Sequence, residues 1–115
     1  MLRAGGNTLT KAERLSGKKD IDALLAGGRW GACGILKYCF RDNGLEYSRI
    51  IVSVPKRLFK RAVKRNLLKR RMREAFRVGK PSRHVDILFQ YNSTEVADYQ
   101  SVCAAMEAVL KKISA

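Results

Sequence analysis

The sequence predicts a single α+β domain, a sandwich of helices on a mostly antiparallel central sheet in the order αβββαβα. Three observations predict it. Residues 33–41 and 84–91 are rich in aromatic and β-branched side chains, as strands are. Residues 60–77 and 99–113 repeat apolar side chains at helical spacing. The length, 115 residues, and the hydrophobic share, 46%, suit one domain with one modest core.

Taken in order, residues 1–10 carry little pattern and are expected to be flexible. Residues 16–30, SGKKDIDALLAGGRW, read as a short helix. Ser16 is placed to cap it, Ile21, Leu24 and Leu25 share one side, and Gly27 and Gly28 end it. CGILKYCFR (33–41) reads as a strand and Asp42-Asn43-Gly44 as a turn, because Asn and Gly tolerate positive φ. LEYSRIIVSV (45–54) reads as the returning strand or strands, closed by Pro55, which cannot donate to a ladder. A helix follows over 60–77 and GKPSR (79–83) breaks it. HVDILFQY (84–91) is a strand whose apolar run implies burial on both faces. The last helix begins between Ser93 and Asp98 and runs to about Ile113. Tyr99, Val102, Cys103, Met106, Val109, Leu110 and Ile113 are its expected core contacts.

Charge is the strongest signal. Lys and Arg number 24 against 10 Asp and Glu, a net of +14. Between Lys56 and Arg83 there are 13 basic residues and one acid, Glu74. So concentrated a field favours a polyanionic partner, of which nucleic acid is the commonest. Within KRAVKRNLLKRRMREAFR (60–77), Arg61, Arg65, Lys69, Arg73 and Arg77 recur every fourth residue and form one ridge on a helix. Asn66 and Arg70 lie beside it, and Lys60, Lys64 and Arg71 cluster on another side. Leu68, Met72, Ala75 and Phe76 make a better core stripe than Phe59, Val63 and Leu67, although the helix is not cleanly two-sided. Four like-charged steps cost on the order of 1–2 kcal/mol at low salt, a cost that phosphates would remove. Asn66 can both donate and accept, which suits a base edge, sugar or phosphate as well as a tie to a neighbouring loop. A membrane surface is the weaker rival: the apolar rows are expected to pack into a core and no Trp flanks the helix. No apolar run is long enough to span a bilayer and the first residues lack a secretory core, so the expected compartment is the cytoplasm. Cys33, Cys39 and Cys103 are odd in number with no C-x-x-C pair and read as core residues.

No self-sufficient active site is legible. The acids are scattered, Asp86 stands alone in its strand, and His84 is the only imidazole. A two-metal nuclease needs several converging carboxylates. The residues therefore describe a binding protein, with no metal held by the chain and no obligate protein partner.

RIIVSVPKRLFKRAVKRNLLKRRMREAFR (49–77) resembles the protein subunit of bacterial ribonuclease P, with a basic Arg-Asn-centred helix after a strand. Arg14-Leu15, the Asp20-Ile21…Leu24-Leu25…Gly27 helix and Asp86–Phe89 fall in matching places, so the resemblance covers most of the chain. It implies a single RNA-binding domain over 1–115, with an unusual left-handed βαβ crossover around the basic helix. It also implies that the chain binds a catalytic ribonuclease P RNA and the 5′ leader of precursor tRNA, with Mg²⁺ acting alongside the RNA subunit. The family's RNA-binding motif falls on Arg65, Asn66, Lys69, Arg70 and Arg73, to which the charge ridge adds Arg61, Lys64 and Arg77. The leader cleft implied by the resemblance comprises Ile21, Leu25, Tyr38 and Lys56. Leu67 departs from the motif's second Arg, and Ile21 and Leu25 stand where many members carry Phe. The alternative reading is a non-enzymatic ribosomal or general structured-RNA-binding protein.

Overall fold

The computed structural model describes residues 13–79 and 83–114. The expectation of flexibility over 1–10 and most of the helix-breaking 79–83 segment lie outside them. The elements run α1 (Lys18–Gly27), β1 (Arg29–Cys33), β2 (Leu36–Asp42), β3 (Arg49–Ser53), α2 (Ala62–Val78), β4 (Val85–Tyr91) and α3 (Tyr99–Ser114). The αβββαβα order holds, but its first half is divided differently from the sequence reading.

Helix α1 begins at Lys18 and is capped at Gly17 (φ 93°), with no side-chain cap, so Ser16 does not serve. It stops at Gly27, and Arg29 and Trp30 leave it for β1. The single strand expected over 33–41 is in fact the turn and second arm of a hairpin. Cys33 pairs with Leu36 around Gly34-Ile35. Gly34 has φ 59° and no non-glycine residue described has a positive φ. That is the pattern of a two-residue turn with Gly first. At Asn43 the chain makes a longer loop rather than a tight return. The Asn43 side chain accepts from the Leu45 N–H at 2.9 Å and donates to the Tyr47 carbonyl at 3.0 Å.

The sheet order is β1-β2-β4-β3. β1–β2 and β2–β4 are antiparallel, whereas β3 runs parallel to β4 and reaches it through α2. The strand expected to return beside β2 therefore lies one place further out, with β4 inserted between. Glu13–Leu15 runs along the free edge of β3, with Leu15 N–H donating to Ile50 O and Ile50 N–H to Glu13 O, both at 2.8 Å.

The register sorts side chains onto two faces. Leu36, Tyr38, Phe40, Ile50, Val52, Ile87 and Phe89 join the main core with α2 and α3. Helix α2 contributes Leu68, Met72, Ala75 and Phe76, all buried, which is the stripe preferred on spacing. Val63, from the other row, is 79% exposed. Burying each of the three large side chains contributes roughly 1.5–3 kcal/mol, enough to outweigh the like-charge repulsion on the other side of the helix. β4, the inner strand between β2 and β3, buries Val85, Ile87, Phe89 and Tyr91 on one face; on the other Asp86 is buried but Leu88 and Gln90 are only partly covered, so the expected burial on both faces is incomplete. In α3, Val102, Met106, Val109, Leu110 and Ile113 are buried, whereas Tyr99 is exposed and is not a core contact.

Asp98 precedes α3 and accepts the Ser101 N–H at 2.8 Å. These Ser101 bonds hold its carboxyl below the ordinary value of 3.8. A depressed folded pKa gives stability that is present above the unfolded value and lost as pH falls through the folded one. Asp98→Ala is thus expected to lower the thermal midpoint at neutral pH, with the gap to wild type closing below about pH 4. A gap independent of pH would exclude the charged cap.

Candidate nucleic-acid interface

The outward side of α2 exists because its inward side is fixed. With Leu68, Met72 and Phe76 fully buried, the 3.6-residue period turns Asn66 and Arg70 to solvent and sets Lys69 and Arg73 on the flank toward β3. Arg73 lines a depression along the β3 edge with Arg14, Leu15, Ser16, Ile50, Ile51 and Val52. Its pKa is lowered by burial first and by the Arg14 charge second. Two guanidiniums share this depression and none of its lining residues is acidic. Arg14 was missed as a candidate binding residue, because its approach to α2 depends on the Glu13–Leu15 segment docking beside β3.

The ridge is not uniform in what its members do. The side chains of Arg61, Lys64, Asn66, Lys69, Arg70 and Arg73 make no hydrogen bond or ion pair within the described structure. Arg65 instead donates to the Phe59 and Lys60 carbonyls, both at 2.8 Å, and holds the turn that feeds α2. Arg71 donates to the Ala97 carbonyl at 2.5 Å and ties α2 to the loop before α3. Arg77 is bonded to Glu74, and this bond draws the Glu74 carboxyl below its ordinary value. The one acid of the helix is thus engaged at its C-terminal end, and the middle keeps uncompensated positive charge. Leu67, at the motif's departure, is half-buried.

The second face of the sheet carries α1. Leu24 and Leu15 close over Cys39, with Ile21, Ile51 and Leu88 around them. Burial raises the Cys39 thiol's pKa. Ile21 is therefore partly a packing residue, while Leu25, 37% exposed, reaches further out. Lys56 is exposed in the turn after β3. Tyr38 corrects the sequence reading. It is 8% exposed, packs with Phe40 and the α2–α3 core, and so lies on the opposite face from Ile21 and Leu25. The next residue, Cys39, is the one beneath α1; a one-residue step along a strand changes face.

Asp86 also differs from its lone appearance in the sequence. Arg49 donates to both of its oxygens, at 2.8 and 2.6 Å, and Asn43 Nδ2 donates at 3.0 Å. It is a structural ion pair beneath α1. Among the described residues no three His, Cys, Asp or Glu side chains converge to hold a metal ion. None of the described helices is long and apolar enough to cross a membrane.

Comparison with known proteins agrees with this architecture. The family model described as Ribonuclease P matches residues 9–114. The ribonuclease P protein component of Porphyromonas gingivalis is 33% identical over 118 aligned residues, covering 92% of this chain and 86% of that protein. The component from Thermotoga maritima is 40% identical over 73 residues, 64% of this chain and 62% of that one. Among solved structures, the Staphylococcus aureus RNase P protein superposes with a TM-score of 0.79 at 27% identity, covering 90% of this chain and 96% of that one. The Thermotoga maritima RNase P protein gives 0.79 at 29% identity, covering 90% and 99%. With a family model spanning nearly its whole length and the same α+β architecture in the solved relatives, the chain belongs to the ribonuclease P protein family.

Proposed function

We propose that the chain is the RNA-binding protein subunit of a ribonucleoprotein endoribonuclease that removes the 5′ leader of precursor tRNA. The observation that carries this reading is the unpaired array on α2, Arg61, Lys64, Asn66, Lys69, Arg70 and Arg73, on a helix whose other side is locked into the core. Phosphates of a ribonuclease P RNA would pair these cations and release counterions. Arg77, paired with Glu74, would flank the array at its C-terminal end, and Arg65 supports it by shaping the entry turn. The face beside α1, with Ile21, Leu25 and Lys56, would meet the unpaired leader. In this reading the Mg²⁺ and the hydrolytic step belong to the RNA subunit, as the family resemblance implies. Such a particle would work in the cytoplasm, where precursor tRNA is made in bacteria.

The test is cleavage of precursor tRNA at low Mg²⁺ by a bacterial ribonuclease P RNA, with and without the chain. Stimulation yielding a mature 5′ end is expected. Tight RNA binding with no stimulation, using a matched RNA subunit, would favour the non-enzymatic RNA-binding reading. Cleavage by the chain without the RNA would overturn the assignment of chemistry.

A further inference from the structure

Among the described residues, the α1 face of the sheet is only partly covered, and the remainder has a definite composition. Residues paired directly across strands share a face. Cys39 pairs with Trp30 and Leu88, and Leu88 with Ile51, so these four form one row on the α1 face. Helix α1 buries the Cys39–Leu88–Ile51 part of it. Trp30, at the β1 end, stays 54% exposed. The row on one side, Arg41, Asp86 and Arg49, is closed by polar bonds, including Arg41 Nη1 to the Ala23 carbonyl of α1 at 3.0 Å. Among the described residues, no helix buries the row on the other side, Ala32, Lys37, Gln90 and Ser53. Ala32 and Lys37 are exposed, and Gln90 and Ser53 half-exposed. Since Ala23 and Gly27 of α1 face Arg41, the opposite flank, with Ile21 and Leu25, borders this open row.

The open row thus joins an indole, an ammonium and an amide. Lys37 sits one row on from Cys39, diagonal to Trp30, and faces Gln90 directly across the β2–β4 ladder. Lys37 and Lys56 have no ion pair in the described structure, and the open row has no acid. Burying the indole would be favourable, yet here the ring is left outside beside cations. Stacking platforms for single-stranded nucleic acid have this make-up: an aromatic face for a base, cations for its phosphates and an amide for hydrogen bonding.

We propose that Trp30, with Lys37 and Gln90, is a base-stacking platform for an unpaired RNA strand, extending the leader surface from the α1 flank across the β2–β1 edge. The inference rests on the leader-binding reading above. Trp30 supplies an aromatic surface on this face, while the ring of Tyr38 is committed to the opposite core. A base lies on the indole, the phosphate that follows meets Lys37, and Gln90 offers one donor and one acceptor to the next base.

Trp30 is the single tryptophan of the chain, so its fluorescence reports the site directly. The full chain, assembled with ribonuclease P RNA, is titrated with precursor tRNA carrying an unpaired leader and with mature tRNA lacking it. Quenching by the leader-bearing RNA alone is expected. Trp30→Ala is expected to weaken leader-bearing tRNA about fivefold to tenfold, at the low end of stacking on one ring, and to leave mature tRNA unchanged. Trp30→Phe should restore part of that loss. Equal affinity of wild type and Trp30→Ala for leader-bearing tRNA, while the wild type still prefers it over mature tRNA, would overturn the platform and spare the leader reading. A wild type with no preference for the leader would overturn both.

Discussion

Lys69→Ala/Arg73→Ala is expected to weaken binding to ribonuclease P RNA about 25- to 60-fold at 0.1 M salt. The figure follows from counterion release. Each lost phosphate contact lowers the dependence of log K on log salt by about 0.7–0.9, or roughly fivefold to eightfold at 0.1 M. The salt slope should therefore flatten by about 1.4–1.8 units in the double variant. Both side chains lack bonding partners, and Arg73 is pressed against the Arg14 charge. Their removal is expected to leave the thermal midpoint unchanged or raised, which separates a binding role from a structural one. An unchanged salt slope would remove this flank of α2 from the RNA interface. Asn66→Ala gives the complementary result: affinity for specific RNA should fall more than affinity for non-specific RNA, because an amide adds recognition and no net charge.

Arg49→Met is expected to cost about 3 kcal/mol of folding stability, roughly 10–15 °C in midpoint for a domain of this size. Asp86 is 5% exposed and lies beneath α1, where Arg49 supplies two of its bonds. Without the guanidinium the carboxylate keeps only Asn43 from that set, at 3.0 Å. Most of the loss is the penalty of a buried, underpaired charge rather than the net worth of the pair. Arg49→Met/Asp86→Leu should accordingly recover most of it, since an apolar pair of similar volume carries no such penalty. Urea denaturation of wild type and the variants measures this. A loss under about 1 kcal/mol in the single variant, or no recovery in the double, would show that solvent already satisfies Asp86.

Some features were local enough to be read without a structure. The α2 core stripe, Leu68, Met72, Ala75 and Phe76, follows from a 3.6-residue repeat within one helix. The largely buried strand Val85–Tyr91 follows from the apolar stretch Ile87-Leu88-Phe89 flanked by Val85 and Tyr91. The excess charge between Lys56 and Arg83 is likewise a property of one segment, and the family resemblance is centred on that segment.

Other features depend on partners distant in the chain. Leu36–Asp42 alternates faces, but Tyr38, Cys39 and Phe40 are all apolar enough to be buried, so composition does not say which side meets α1. The insertion of β4 between β2 and β3 does. The same holds for charge: Arg65 and Arg77 look like Lys69 and Arg73 in the sequence, yet a turn and Glu74 engage the first two. By itself the sequence determined the period, the charge and the family of this protein, because each resides in contiguous residues. Only the tertiary structure decided which cations stay unpaired and which side of the sheet is left open, because both depend on what the rest of the chain brings into contact.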